Sequence, residues 1–172
     1  LMREYTQPIR KAAGLTSANI KIVLINDRSF NAFVVDGRRI FVNTGALTES
    51  TTPNQIIGVL AHETGHIAGG HLSKLRQELA NAQTAAIIGM LLGVAAMVAG
   101  SRSGADSGAS QAGAAVLSSA PQVAMRSLLS YQRAHEEAAD RAAVKFLAAT
   151  NQSAKGMYET FKRFADNSMF TA

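Results

Sequence analysis

The apolar and polar positions of the first fifty residues predict a short helix followed by a small β-sheet. Residues 1–13 have the pattern of a modest helix, and Gly14 supplies a C-terminal stop. Three apolar, β-branched runs follow, at residues 20–25, 32–35 and 39–42. Asp36-Gly37 lies between the last two runs and is typical of a hairpin turn. We therefore expect a small antiparallel sheet before the first long helix.

From residue 52 onward the periodicity becomes helical. Thr52 is a suitable N-cap, Pro53 fits the first helical position, and Gln55 completes a T-x-x-Q capping box. The pattern predicts that this helix runs to about residue 77. Three glycines weaken its second half and predict a bend there: Gly65, Gly69 and Gly70.

Two long stretches without charge follow, over residues 79–101 and 107–125. The Gly- and Ser-rich residues 101–110 between them are predicted to form a mobile loop. Polar residues near position 80 shorten the apolar part of the first stretch below the ~20 residues that usually span a bilayer. We expect an uncharged helical hairpin at about 79–125 that is buried or touches a membrane.

The rest of the chain completes a mainly helical pattern. A long helix is predicted from Pro121 to about Ala149, and a last amphipathic helix over residues 153–166. The fold class is therefore α+β, mainly helical with a small antiparallel sheet. A length of 172 residues fits a single domain over residues 1–172.

Charge and cysteine content narrow the functions that this chain can have. It carries 17 Lys and Arg against 12 Asp and Glu, a net charge of +5. Because like charges do not cluster in runs, the excess indicates a solvated surface and no nucleic-acid partner. The chain has no cysteine, so a zinc ion would need His, Asp or Glu ligands. The first residues do not resemble a signal peptide, which predicts an intracellular chain or one whose leader has been removed.

The strongest chemical signal is the H-E-x-x-H motif made by His62, Glu63 and His66. On an α-helix the two histidines lie about 40° apart and about 6 Å along the axis, so both can point at one ion. The preceding apolar run predicts a buried helix, where unpaired imidazoles would be costly. Catalytic zinc usually takes three protein ligands, so the chain must supply a third.

Two regions are candidates for the third ligand. In a continuing helix, His71 lies about 140° around from His66 and faces away, which leaves it a polar or supporting role. Glu136 and Asp140 are four residues apart and share a helix face. Glu136 could bind zinc while Asp140 accepts the N–H of a ligating histidine, and Arg133 could neutralise part of the acidic cluster. Alone, such a charge run is usually a solvated helix face.

Together these motifs resemble the gluzincin peptidases that include the CAAX prenyl protease and HtpX, and most of all their bacterial periplasmic branch. That family pairs H-E-x-x-H with a downstream E-x-x-x-D, matched here by His62, Glu63, His66, Glu136 and Asp140. The resemblance implies a zincin-like metallopeptidase domain with one Zn²⁺ held by His62, His66 and Glu136. It also implies a periplasmic location, with the membrane surface or the outer-membrane assembly machinery as possible contacts.

The predicted activity is zinc-dependent endopeptidase hydrolysis of unfolded or misassembled envelope proteins, a quality-control role. Glu63 would act as general base towards a zinc-activated water. An edge strand within residues 32–42, with Asn31, Ala32 and Phe33, would bind substrate backbone by β-augmentation. Two alternatives stay open: a chaperone-like scaffold with structural zinc and a partner-binding hairpin, and an integral membrane peptidase that spans at residues 79–101.

Overall fold

A computed structural model describes residues 1–102 and 108–170. It confirms the α+β class, mainly helical with one small sheet. In chain order the elements are α1 (Met2–Ala12), β1 (Lys21–Ile25), β2 (Ala32–Val34), β3 (Arg39–Asn43), α2 (Thr44–Glu49), α3 (Pro53–Ala68), α4 (His71–Arg102), α5 (Gly108–Ala149) and α6 (Lys155–Phe170).

The sheet is mixed, which corrects the expected all-antiparallel arrangement. Its strand order is β1-β3-β2. β2 and β3 form the predicted antiparallel hairpin, whereas β1 pairs with β3 in parallel. The segment between β1 and β2 crosses to the far side of β3, where Asn43 N–H donates to the Asn31 carbonyl at 3.0 Å. The pattern of apolar residues predicts which segments form strands, but it does not predict the order of the strands in the sheet.

Helix α3 is the centre of the fold because both of its sides are buried. One side faces the sheet, where Ile56 and Leu60 pack with a group of buried residues: Ile20, Ile40, Val42 and Ala46. On its other side Ala61 packs with residues of α1, α5 and α6: Ile9, Ala143, Leu147 and Met157. Burial on two sides explains the nearly continuous apolar run before the H-E-x-x-H motif.

The N-terminus of α3 forms as predicted, but its capping box does not. Thr52 is the N-cap and Pro53 the first helical residue. The Thr52 side chain makes no capping hydrogen bond. Gln55 Oε1 instead accepts from the Thr51 backbone N–H at 2.8 Å, so the glutamine caps one residue further upstream.

The C-terminus of α3 differs more from the prediction, because the helix ends at Ala68 and does not continue to residue 77. Gly70 adopts φ +61°, a left-handed conformation that glycine enters without steric cost. The chain reverses there and α4 begins at His71. The predicted bend is therefore a complete break between two helices.

Two other boundaries differ. α5 begins at Gly108, and Pro121 lies inside it. The alanine-rich segment before Pro121 favours helix strongly enough to extend α5 towards the N-terminus. Residues 101–102 and 108–110 of the predicted loop are helical, and residues 103–107 lie outside the described residues.

The described residues form two compact units. The first combines Leu1–Leu72 with the segment that begins at His135, and the second is Ser73–Ala134. Within the second unit α4 and α5 approach closely at Gly93, where an added Cβ would lie 3.0 Å from the Gly113 carbonyl oxygen. Among the described helices one segment, His71–Val98, is long and apolar enough to cross a membrane by length and composition. The single peptidase domain over residues 1–172 stays a prediction.

Candidate active site

Three potential metal ligands converge in the first unit. His62 and His66 lie one turn apart on α3, and their Nε2 atoms are 3.0 Å apart. Glu136 on α5 places Oε2 3.3 Å from His62 Nε2 and 3.5 Å from His66 Nε2. A tetrahedral zinc ion with bonds of about 2.0–2.1 Å holds neighbouring ligand atoms about 3.3 Å apart. The spacing and the two-nitrogen, one-oxygen donor set therefore fit zinc.

Close packing of α5 on α3 brings Glu136 into reach. A Cβ added at Gly65 would lie 2.8 Å from the carbonyl oxygen of Ala139 and 3.1 Å from its Cα. Both atoms belong to the backbone of α5, so no side-chain rotation could make room. The absence of a side chain at Gly65, one residue before His66, thus sets the distance between the two ligand-bearing helices.

Asp140 fixes the orientation of His62. Its Oδ1 lies 2.8 Å from His62 Nδ1. A carboxylate accepts, so Nδ1 carries the proton that is donated to Asp140, which leaves Nε2 as the nitrogen that can bind a metal ion. The Phe161 ring, from α6, makes a T-shaped contact with the same imidazole, with ring centroids 5.0 Å apart. Asp140 therefore lies next to the outer nitrogen of His62.

The three potential ligands lie in a negatively charged local environment that favours a cation. Burial opposes the charged form of His62, but its hydrogen bonds to Glu136 and the charges of Glu63 and Asp140 raise its pKa above the ordinary value. Hydrogen bonds from His62 and His66 hold the pKa of Glu136 well below its usual range. Glu136 is therefore ionised at neutral pH, and its side chain is 61% exposed. The cluster is open to solvent on the side of Glu136.

Glu63, unlike the exposed and ionised Glu136, is buried and has a raised pKa. It is only 7% exposed. Burial raises the pKa of Glu63 to about 7, against the charges of His62 and His66, which lower it. A carboxylate with such a pKa can accept and return a proton near neutral pH.

His71 lies beside His66, contrary to the expectation that it faces away. Its Nδ1 is 3.0 Å from His66 Nδ1, and the residue is 8% exposed. The ring centroid of His135 is 4.3 Å from that of His71. The helix break at Gly70 causes this difference, because a continuous helix would carry His71 around to the other side. The sequence analysis does not assign His135 to the site. The signal in the sequence that could have indicated it is its position next to Glu136.

The other predicted residues are less directly placed. Arg133 is exposed and has no ion pair among the residues that the structure describes. Arg141 pairs with Glu137, which leaves Asp140 to His62. Ala32 and Phe33 lie on β2, an edge strand that packs against α3. Asn31 directly precedes it, and substrate binding by these residues stays a prediction.

Comparison with known proteins places these residues in a family context. The profile described as Peptidase family M48 matches residues 2–171. A "Putative beta-barrel assembly-enhancing protease" of Vibrio cholerae is 28% identical over 143 residues, which cover 83% of this chain and 28% of the relative. Beta-barrel assembly-enhancing proteases of Yersinia pestis and Escherichia coli K12 are 24% and 22% identical over 149 residues, 87% of this chain and 29% of each relative. The chain thus spans less than a third of the length of these relatives.

Proposed function

The chain belongs to peptidase family M48, and from that premise we propose that it is a zinc-dependent endopeptidase acting on unfolded or misassembled proteins. One observation carries the proposal: two imidazole nitrogens and a carboxylate oxygen converge within 3.5 Å of one another beside the buried Glu63. Three ligands leave a fourth position open, as catalytic zinc sites do.

His62, His66 and Glu136 would hold the ion. Zinc bound there supplies Lewis acidity and lowers the pKa of a water molecule to about 7. Glu63 accepts the proton of the attacking water and returns it to the leaving amine. Burial raises the pKa of Glu63 to about 7, which makes this side chain a stronger base than an ordinary carboxylate. Asp140 keeps His62 in the tautomer that offers Nε2 to the metal.

Substrate would bind as an additional strand next to β2. In the described sheet β2 pairs only with β3, so its other edge can accept an extended peptide. Hydrogen bonds to those backbone groups of Asn31, Ala32 and Phe33 that face away from β3 would give affinity with little sequence preference. The Phe33 ring stacks on Phe41 with centroids 5.3 Å apart, which fixes the strand that the peptide would join. Such a site suits unfolded chains, which present extended backbone.

The alternative, a scaffold with structural zinc, is less well supported. Structural sites normally use four protein ligands, whereas a group of three is present among the described residues. A structural site also gives no role to a buried carboxylate with a raised pKa. The test is cleavage of unfolded casein by zinc-loaded protein. Activity that disappears with a chelator and returns with Zn²⁺ supports the peptidase, and zinc-loaded protein that never cleaves favours the scaffold.

We also propose that the protein acts in the bacterial periplasm, in contact with a membrane, and near the machinery that assembles outer-membrane proteins. The names of the relatives motivate the assembly context. On α4, Ile87, Leu91 and Leu92 are each more than half exposed. Exposed apolar residues at successive positions extend around the part of this helix that does not pack on α5, whereas a soluble partner would need one apolar stripe. The hairpin would thus form the membrane-contacting part of a single peptidase domain.

Flotation with phosphatidylglycerol and phosphatidylethanolamine vesicles tests the membrane contact. Wild-type protein should float with the vesicles, and Leu91→Lys should reduce the floated fraction. Val144→Lys is the matched control, because Val144 is an exposed apolar residue of the first unit. Wild-type protein that stays at the bottom of the gradient would refute the contact, and resistance to alkaline carbonate extraction would favour the integral membrane alternative.

A further inference from the structure

The imidazole of His71 occupies a position equivalent to that of Asp140, but towards the other histidine ligand. His62 Nδ1 lies 2.8 Å from an Asp140 oxygen, and His66 Nδ1 lies 3.0 Å from His71 Nδ1. In both ligands the second nitrogen, Nε2, belongs to the converging cluster. Each metal-facing histidine therefore has one polar partner on its outer nitrogen.

The tautomers follow from this geometry. A neutral imidazole that offers the Nε2 lone pair carries its proton on Nδ1. The His66 Nδ1–H then donates to the lone pair on His71 Nδ1, and His71 carries its own proton on Nε2. The two Nδ1 atoms are 3.0 Å apart, which is a hydrogen-bond distance. If both carried a proton, the two N–H groups would repel each other, so only one of the two Nδ1 atoms is protonated.

Local backbone structure holds His71 in this position. Gly70, at φ +61°, reverses the chain so that the first residue of α4 faces back towards α3. A Cβ at Gly69 would lie 2.1 Å from His71 Nε2 and 2.5 Å from its Cδ2. Gly69 has an ordinary helical φ of −75°, so it is required for space rather than for backbone freedom. The His71 ring lies directly over it.

We propose that His71 is a positioning residue that accepts the Nδ1–H of His66, fixing the tautomer and ring plane in which His66 binds the metal. The inference rests on the proposed zinc site. Asp140 supplies a charged partner for one ligand, and His71 supplies a neutral partner for the other. His135 packs against the His71 ring and limits its rotation.

The experiment compares Zn²⁺ dissociation constants, measured by competition with a chromophoric chelator, for His71→Leu and His71→Asn. Leucine keeps most of the volume but has no acceptor, so it should weaken Zn²⁺ binding about 10 to 100-fold. Asparagine can place its Oδ1 near the position of the lost Nδ1 and should restore most of the affinity. Lys74→Ala, an exposed change in the first turn of α4, is the control and should bind as the wild type does.

Gly69→Ala tests the same contact without removing His71. The new methyl group must displace the imidazole, so Zn²⁺ binding should weaken as in His71→Leu. The double variant Gly69→Ala/His71→Leu should bind no more weakly than either single variant, because both remove one interaction. Circular dichroism of the metal-free proteins confirms that each variant is folded.

Equal affinity of His71→Leu and wild type would overturn the proposal. So would equal weakening by His71→Leu and His71→Asn, because shape rather than the acceptor would then matter. Neither result depends on peptidase activity. Failure of the wild-type protein to bind Zn²⁺, in contrast, would refute the proposed function itself.

Discussion

Replacing Gly65 with alanine should weaken zinc binding although Gly65 is not a ligand. The added Cβ would lie 2.8 Å from the Ala139 carbonyl oxygen, whereas ordinary contacts begin at 3.4 Å. The α5 backbone must therefore move away by about 0.6 Å, the difference between these distances. Metal–ligand bonds tolerate only about 0.2 Å. Because Glu136 moves with α5, we expect at least about 10-fold weaker Zn²⁺ binding.

Gly58→Ala is the matched control. Gly58 lies on the same helix, and its added Cβ would lie 2.7 Å from the Met157 backbone, on α6 rather than α5. Overpacking of this kind costs about 1–3 kcal/mol, so both variants should melt several degrees below wild type. Gly65→Ala displaces the helix that carries Glu136, whereas Gly58→Ala displaces α6, which carries only the Phe161 contact to His62, so Gly65→Ala should lose much more Zn²⁺ affinity in the chelator competition. Suppose that Gly65→Ala and Gly58→Ala melt at similar temperatures and that Gly65→Ala still binds Zn²⁺ as tightly as wild type. This result would refute the idea that the Gly65 contact positions Glu136.

Other predictions separate the roles of the carboxylates. Glu63→Gln should keep Zn²⁺ but lower casein hydrolysis about 10² to 10⁴-fold, and wild-type activity at full zinc occupancy would exclude Glu63 as base. Glu136→Ala should lose zinc on dialysis, whereas Glu137→Ala, which removes a neighbouring exposed carboxylate, should stay loaded. Asp140→Asn should weaken Zn²⁺ binding about 10 to 100-fold, and Arg141→Ala should not; equal affinities would remove Asp140 from the site. In metal-free protein, Glu63→Gln should raise the melting temperature relative to wild type at pH 8 but hardly at pH 5. The reason is that the folded-state pKa of Glu63 is raised to about 7, so the stability of wild type falls as pH rises from the ordinary carboxyl range through that value. A pH-independent difference would contradict it.

The local part of the site could be predicted from the sequence because helix geometry alone determines it. His62 and His66 share a face in any α-helix, and Glu63 follows from the motif. Glu136 lies more than seventy residues further along the chain. Its candidacy depended on the incomplete ligand set and on the family resemblance. The pattern could not supply the distances that bring its carboxylate within reach of the two histidines.

The errors have one physical origin, which is that packing partners are absent from a local pattern. Periodicity specified three strands, but the crossover that places β3 between β1 and β2 is a tertiary feature. The capping box failed for a smaller reason, since Gln55 found an equivalent donor on Thr51. In each case the residues and their tendencies were correctly described, and a partner that the local pattern does not specify decided the outcome.

The glycines of α3 and its end illustrate this limit most clearly. From the sequence alone, these glycines are expected only to lower the helix propensity of the segment. In the fold Gly65 admits α5, which carries Glu136, and Gly58 admits α6, which carries the Phe161 ring that packs on His62. Gly69 leaves space for the His71 imidazole. The same residues that lower helix propensity therefore determine which side chains reach the two histidines, and the cost in propensity, about 1 kcal/mol per glycine, is smaller than the cost of overpacking at these contacts.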